Sequence, residues 1–139
     1  MKKTILIVLA LVTSTTVLAG NYAPTDGERA RWTMSDMMSW RTALKAYAKD
    51  HHAYPAAANI EELRKALEGK YMAVAPVHDA WGRAYRYERH GDGFRLVSSG
   101  ADGSFDEATW SRKGIATSLN DDAVMTSESG WLTRFWSLQ

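Results

Sequence analysis

The chain has 139 residues, with 17 basic and 16 acidic side chains, six tryptophans, six tyrosines and no cysteine. A charge this close to balance gives no electrostatic case for nucleic acid or for an anionic membrane surface, and the lack of cysteine excludes a disulfide scaffold. The fold must therefore be held by its core, to which the aromatic residues bring large buried areas, or by a metal.

Lys2 and Lys3 precede an apolar run over residues 5–12, then Thr13-Ser14-Thr15-Thr16 and Val17-Leu18-Ala19, with small residues where a signal peptidase needs them. This predicts a secretory signal peptide over residues 1–19, cut after Ala19. The apolar run falls well short of the roughly 20 residues that a spanning helix requires. Asn21 stands where a lipoprotein would carry its acylated cysteine, so no lipid attachment and no stable membrane anchor are expected after cleavage. Loss of Lys2 and Lys3 moves the formal charge from +1 to −1. The remaining chain suits a single core, and a periplasmic or secreted location is expected.

Residues 20–32 read as a flexible segment, and the folded domain is expected over 33–139. Thr33 is the predicted N-cap, with Asp36 three residues on and Met37, Trp40, Leu44 and Tyr47 at helical spacing, which predicts an amphipathic helix over 33–50. A Met and Trp stripe of this kind is read as core rather than as a ligand groove, because a helix of this length needs an apolar face to stay folded. Pro55 biases Tyr54 toward extended geometry and ends the segment. Asn59 and Glu62 then predict a capped second helix with Ile60, Leu63 and Leu67 on one face and Gly69 as its stop.

The next segment is Asp79-Ala80-Trp81-Gly82-Arg83-Ala84-Tyr85-Arg86-Tyr87, a turn feeding a strand. His90-Gly91-Asp92-Gly93 is hairpin chemistry, so strands are expected over 84–89 and 94–98, with a third over 123–126. Between them, residues 100–120 form a long excursion around Trp110 with little periodicity, and loops of this length are commonly functional or pinned. The tail Trp131-Leu132-Thr133-Arg134-Phe135-Trp136 is apolar enough that it is expected to fold back onto the domain rather than to serve a partner.

In order and spacing, Asp79-x-Trp81-Gly82-x-x-Tyr85-x-Tyr87 followed by Ser98-x-Gly100-Ala101-Asp102-Gly103 resembles the C-terminal domain of type II secretion system protein G, the major pseudopilin. The helix, Tyr54-Pro55 and short-helix spacing agree, so the resemblance covers roughly residues 33–125. It implies a pseudopilin-like head domain: an α+β fold in which an amphipathic N-terminal helix packs on an antiparallel sheet of three or four strands. It also implies a calcium loop, with Asp102 at the first carboxylate position, the backbone carbonyl of Ser99 as a main-chain ligand, and the pair Asp121 and Asp122 at the second carboxylate position. Asp106 and Glu107 lie in the same loop. Residues 104–119, with Trp110, Arg112 and Lys113, depart from the family's glycine-rich loop. The stretch Gly20-Asn21-Tyr22-Ala23-Pro24-Thr25-Asp26-Gly27 departs too, being polar where a prepilin keeps its long apolar helix, so no filament-building helix is expected.

Without the resemblance, calcium has little support. Asp102, Ser104 and Asp106 have EF-hand spacing, but Glu107 replaces the required glycine and Lys113 the bidentate glutamate, which leaves an acidic turn. Catalysis has less. His51, His52, His78 and His90 match no zinc spacing, and there is no G-x-S-x-G elbow, P-loop or G-x-G-x-x-G. The expectation is a non-catalytic, exported, pseudopilin-like structural or binding module, calcium-stabilised, with protein partners in a secretion apparatus. A secreted binding protein that reuses the domain for an unrelated ligand is the alternative, and an enzyme of unknown class the third reading.

Overall fold

In the computed structural model, which describes residues 22–128, 132 and 134–137, the first helix α1 spans Asp26–His51. It opens on a capping box: Thr25 Oγ1 accepts the Glu28 N–H at 3.3 Å, and Glu28 Oε2 accepts the Thr25 N–H at 2.9 Å. The helix thus starts earlier than the sequence reading allowed, and residues 26–32 are helical rather than flexible. Thr33 is not a cap. It sits fully buried inside the helix, where its hydroxyl accepts the Ala80 N–H at 3.0 Å. The predicted leader over 1–19 lies outside the described residues.

Ala30, Thr33, Met37, Trp40, Ala43 and Leu44 form the buried stripe of α1, so the Met and Trp face is core. The helix stops at His52, in left-handed geometry, shortly before Pro55. Helix α2, Ile60–Leu67, buries Ile60, Leu63 and Leu67 behind the Asn59 cap, whose Oδ1 accepts the Glu62 N–H at 2.9 Å. Glu62 returns its bond to Ala58 N–H, one residue earlier than in a strict capping box.

Among the described residues five strands form one sheet in the order β1-β2-β4-β5-β3: β1 Arg86–His90, β2 Gly93–Ser98, β3 Gly114–Ala116, β4 Ala123–Thr126 and β5 Arg134–Trp136. The hairpin β1–β2 and the antiparallel neighbour β4 stand where the alternation placed them. The sheet is nevertheless larger than the expected three or four strands, and it is mixed, because β3 runs parallel to β5. The extra strands come from the long excursion and from the tail. Each is three residues long, too short to show a period of two.

Tyr87, Phe94, Leu96, Ala123 and Met125 share one face of the sheet and join Tyr85 and Trp136 in the main core cluster with residues of α1 and α2. The opposite face holds a smaller cluster of Val97, Val124 and Trp110. Trp110 explains why the excursion is not structureless: after a 3-10 turn at Glu107–Thr109 its ring lies buried on that face. In the tail, Leu132, Arg134 and Trp136 are buried against the domain, while Trp131 and Thr133 lie outside the described residues. Among the described residues no helix is long and apolar enough to cross a membrane.

Candidate functional site

The D-x-W-G turn is organised by one buried carboxylate. Asp79 is 5% exposed; its Oδ1 accepts the N–H groups of Trp81 and Arg83, each at 3.0 Å, and its Oδ2 accepts Ser98 Oγ at 2.7 Å. Three donors on two elements thereby share one anion, which ties the turn to the end of β2. The Trp81 indole N–H reaches Asp26 Oδ1 at 2.8 Å, and its ring meets Trp136 edge-on with centroids 5.3 Å apart. The turn therefore joins the start of α1, strand β2 and the last strand. Because the Asp79 carboxylate is held this way, it does not orient the adjacent, exposed His78.

Arg83 connects this turn to the G-A-D-G segment. Its Nη1 donates to the Gly100 carbonyl at 2.9 Å, and its side chain then lies over Gly103, where an added Cβ would stand 2.2 Å from Arg83 Nε. Gly103 also has a φ of +75°, which side chains rarely adopt. Moving Arg83 aside would break its bond to Gly100, so Gly103→Ala is expected to cost about 2 kcal/mol in urea unfolding. A loss below about 0.5 kcal/mol would mean that Arg83 is free to move and does not hold the loop.

Beyond Gly103 the chain turns on acidic residues. Asp102 is exposed, and its Oδ1 accepts the Ser104 N–H at 2.8 Å. Asp122 is only 1% exposed; its Oδ2 accepts the Asp106 N–H at 2.9 Å and the Trp110 indole N–H, while its Oδ1 has no hydrogen-bond partner among the described residues. Burial raises the Asp122 carboxyl above its ordinary value against those two donors, and the charges of Asp102 and Asp106 push it further. Ser99 is as deeply buried, and its Oγ likewise has no partner among the described residues. The indole that holds Asp122 is itself framed by Arg86 and Arg95, with guanidinium carbons 5.0 and 5.4 Å from the ring centroid, and by Phe105 edge-on at 6.0 Å.

Asp121 faces elsewhere. Its Oδ2 accepts the Thr117 N–H at 2.8 Å, Thr117 Oγ1 at 2.9 Å, the Ser118 N–H at 3.2 Å and Arg134 Nη2 at 3.0 Å. Burial acts to raise this carboxyl, but the Thr117 and Ser118 donors and the Arg134 charge hold it below its ordinary value. Of the four residues suggested as metal ligands, Asp102 and Asp122 are thus electrostatic neighbours, Ser99 is buried, and Asp121 serves a separate turn. Among the described residues no group of three or more His, Cys, Asp or Glu side chains is arranged to hold a metal ion. Trp110, Arg83 and Arg134 organise the loop without having been singled out as site residues. Arg83 was open to inference from its place inside the D-x-W-G segment, whereas nothing local marks Arg134.

A family model for protein G of the type II secretion system (T2SS) matches residues 22–112, more than half of the chain. The match ends before β3, β4 and β5. No curated protein matches the chain.

Proposed function

The chain belongs to the type II secretion system protein G family, and on that premise we propose that it is a non-catalytic, pseudopilin-like head domain that works among the proteins of a secretion apparatus and is stabilised by calcium. The family carries the link to secretion, and export after cleavage of the leader is part of the same proposal. The architecture suits a structural role: Asp79, Arg83 and Trp81, the polar and aromatic groups of the family motif, are committed to joining the helix, the sheet and the loop.

The calcium reading rests on Asp122 Oδ1, which has no hydrogen-bond partner among the described residues. An anionic oxygen buried without a donor is costly, and a hard cation that prefers oxygen ligands removes that cost. Asp102 and Asp106 add negative potential beside it, and the backbone carbonyl of Ser99 is the main-chain oxygen that the family resemblance brings to the set. Asp121 contributes nothing to this set while its carboxylate serves Thr117, Ser118 and Arg134. When bound, calcium would supply positive charge directly at the Asp122 carboxylate.

Millimolar calcium is expected to raise the melting temperature relative to EDTA, since a ligand that binds only the native state must stabilise it, by about 2.7 kcal/mol at one hundred times its dissociation constant. Asp122→Asn should abolish the shift. A melting temperature that does not respond to calcium would remove calcium from the proposal and leave the structural role standing.

A further inference from the structure

The carboxylate of Asp121 already has a cation. Arg134 comes from β5, beyond the part of the chain that the family model covers, and its side chain is 7% exposed with Nη2 at 3.0 Å from Asp121 Oδ2. The same strand reaches the Asp121 backbone, where the Trp136 indole N–H donates to the carbonyl at 2.8 Å. Asp121 in turn holds the turn at Thr117 and Ser118, which closes the excursion that began at Gly100. The closure is tight. A Cβ on Gly100 would stand 2.6 Å from the Asp121 carbonyl oxygen and 2.7 Å from that of Leu119, and the Ala101 N–H donates to Leu119 O at 2.8 Å.

We infer that Arg134 is a built-in cation that takes the place of a metal ion at Asp121, so that the C-terminal strand, rather than a divalent ion, clasps the return of the loop at this carboxylate. The guanidinium offers fixed donors and a permanent positive charge at a carboxylate that is itself partly buried. Its permanence matters, because closure at Asp121 then does not depend on metal supply. The inference builds on the proposed calcium-stabilised loop, but it concerns the other aspartate of the adjacent pair.

The test compares melting of the mature wild-type chain and Arg134→Gln in EDTA and in millimolar calcium at matched ionic strength. In EDTA the variant is expected to melt about 5–10 °C below wild type. Calcium should recover at least half of that difference, because a divalent ion can neutralise Asp121 once the guanidinium is gone, and adding Asp121→Asn to the variant should cancel the recovery. Reading the difference between variant and wild type removes any effect of calcium at Asp122, which both carry. An identical gap in EDTA and calcium would overturn the inference. If R134Q is unfolded in EDTA, folding on addition of calcium is the same recovery, and failure to fold counts against the inference. A wild-type protein indifferent to calcium beside an R134Q variant that responds would refute calcium at Asp122 and leave the built-in cation supported.

Discussion

Replacing Asp79 by alanine is expected to destabilise the domain by about 3 kcal/mol, the largest loss from any single polar side chain in the fold. Its carboxylate is the common acceptor for Trp81 N–H, Arg83 N–H and Ser98 Oγ, and Ser98 is fully buried. Deleting the acceptor strands all three donors, and an unmet buried donor costs about 1–3 kcal/mol. The bond from Ser98 and the turn that aims Trp81 at Asp26 and Trp136 are lost together, so the effect should exceed that of breaking one hydrogen bond. Thermal melting should fall by about 10–15 °C. Asp79→Asn is expected to fall between, since its one remaining oxygen can serve either the turn or Ser98 but not both. A loss under about 1 kcal/mol for Asp79→Ala would show that water replaces the carboxylate and that this motif does not organise the fold.

Deleting residues 131–139 is expected to abolish cooperative melting. The deletion removes three buried side chains, Leu132, Arg134 and Trp136, the last only 1% exposed. Loss of a buried tryptophan alone costs about 3–5 kcal/mol. A domain of this size has only about 5–15 kcal/mol of stability to lose. The truncated chain would also expose the edge of β4, leave Asp121 without Arg134, and leave β3 unpaired, because β3 pairs only with β5 among the described strands. Circular dichroism during heating decides the matter: a broad, non-cooperative transition is the expected result. A sharp transition at the wild-type temperature would mean that the tail is an exposed docking segment, and that the part of the chain covered by the family match, together with β4, is sufficient for the fold.

Much of the fold was legible locally. Asn59 before Ile60, Leu63 and Leu67 specifies α2 through a cap and one apolar face, both properties of a single short segment. His90 to Gly93 specifies the hairpin because a tight turn needs particular backbone geometry, and the flanking alternation sets its register. The start of α1 was legible too, in the spacing of Thr25 and Glu28, but Gly27 inside the first turn weakens the helical signal and draws the eye to Thr33. The spacing of the Trp-Gly and Gly-Ala-Asp-Gly segments sufficed to indicate the family, since it records a contact between them: Arg83 spans from the first to the second and leaves room only for glycine at position 103.

The sequence by itself determined the helices, the hairpin, β4 and the aspartates on which a cation could be held. The tertiary structure alone decided the roles of those aspartates and the final strands. Asp121 and Asp122 are chemically identical neighbours, and what separates them is what each meets across space: a guanidinium from β5 for one, the Trp110 indole and the Asp106 N–H for the other. Likewise β3 and β5 have too few residues for a local preference and exist because each pairs with the other while burying Ala116 and Trp136. Periodicity and turn chemistry act within a few residues along the chain, whereas the partner that satisfies a buried charge or an open strand edge is supplied by whichever distant segment the packing brings there.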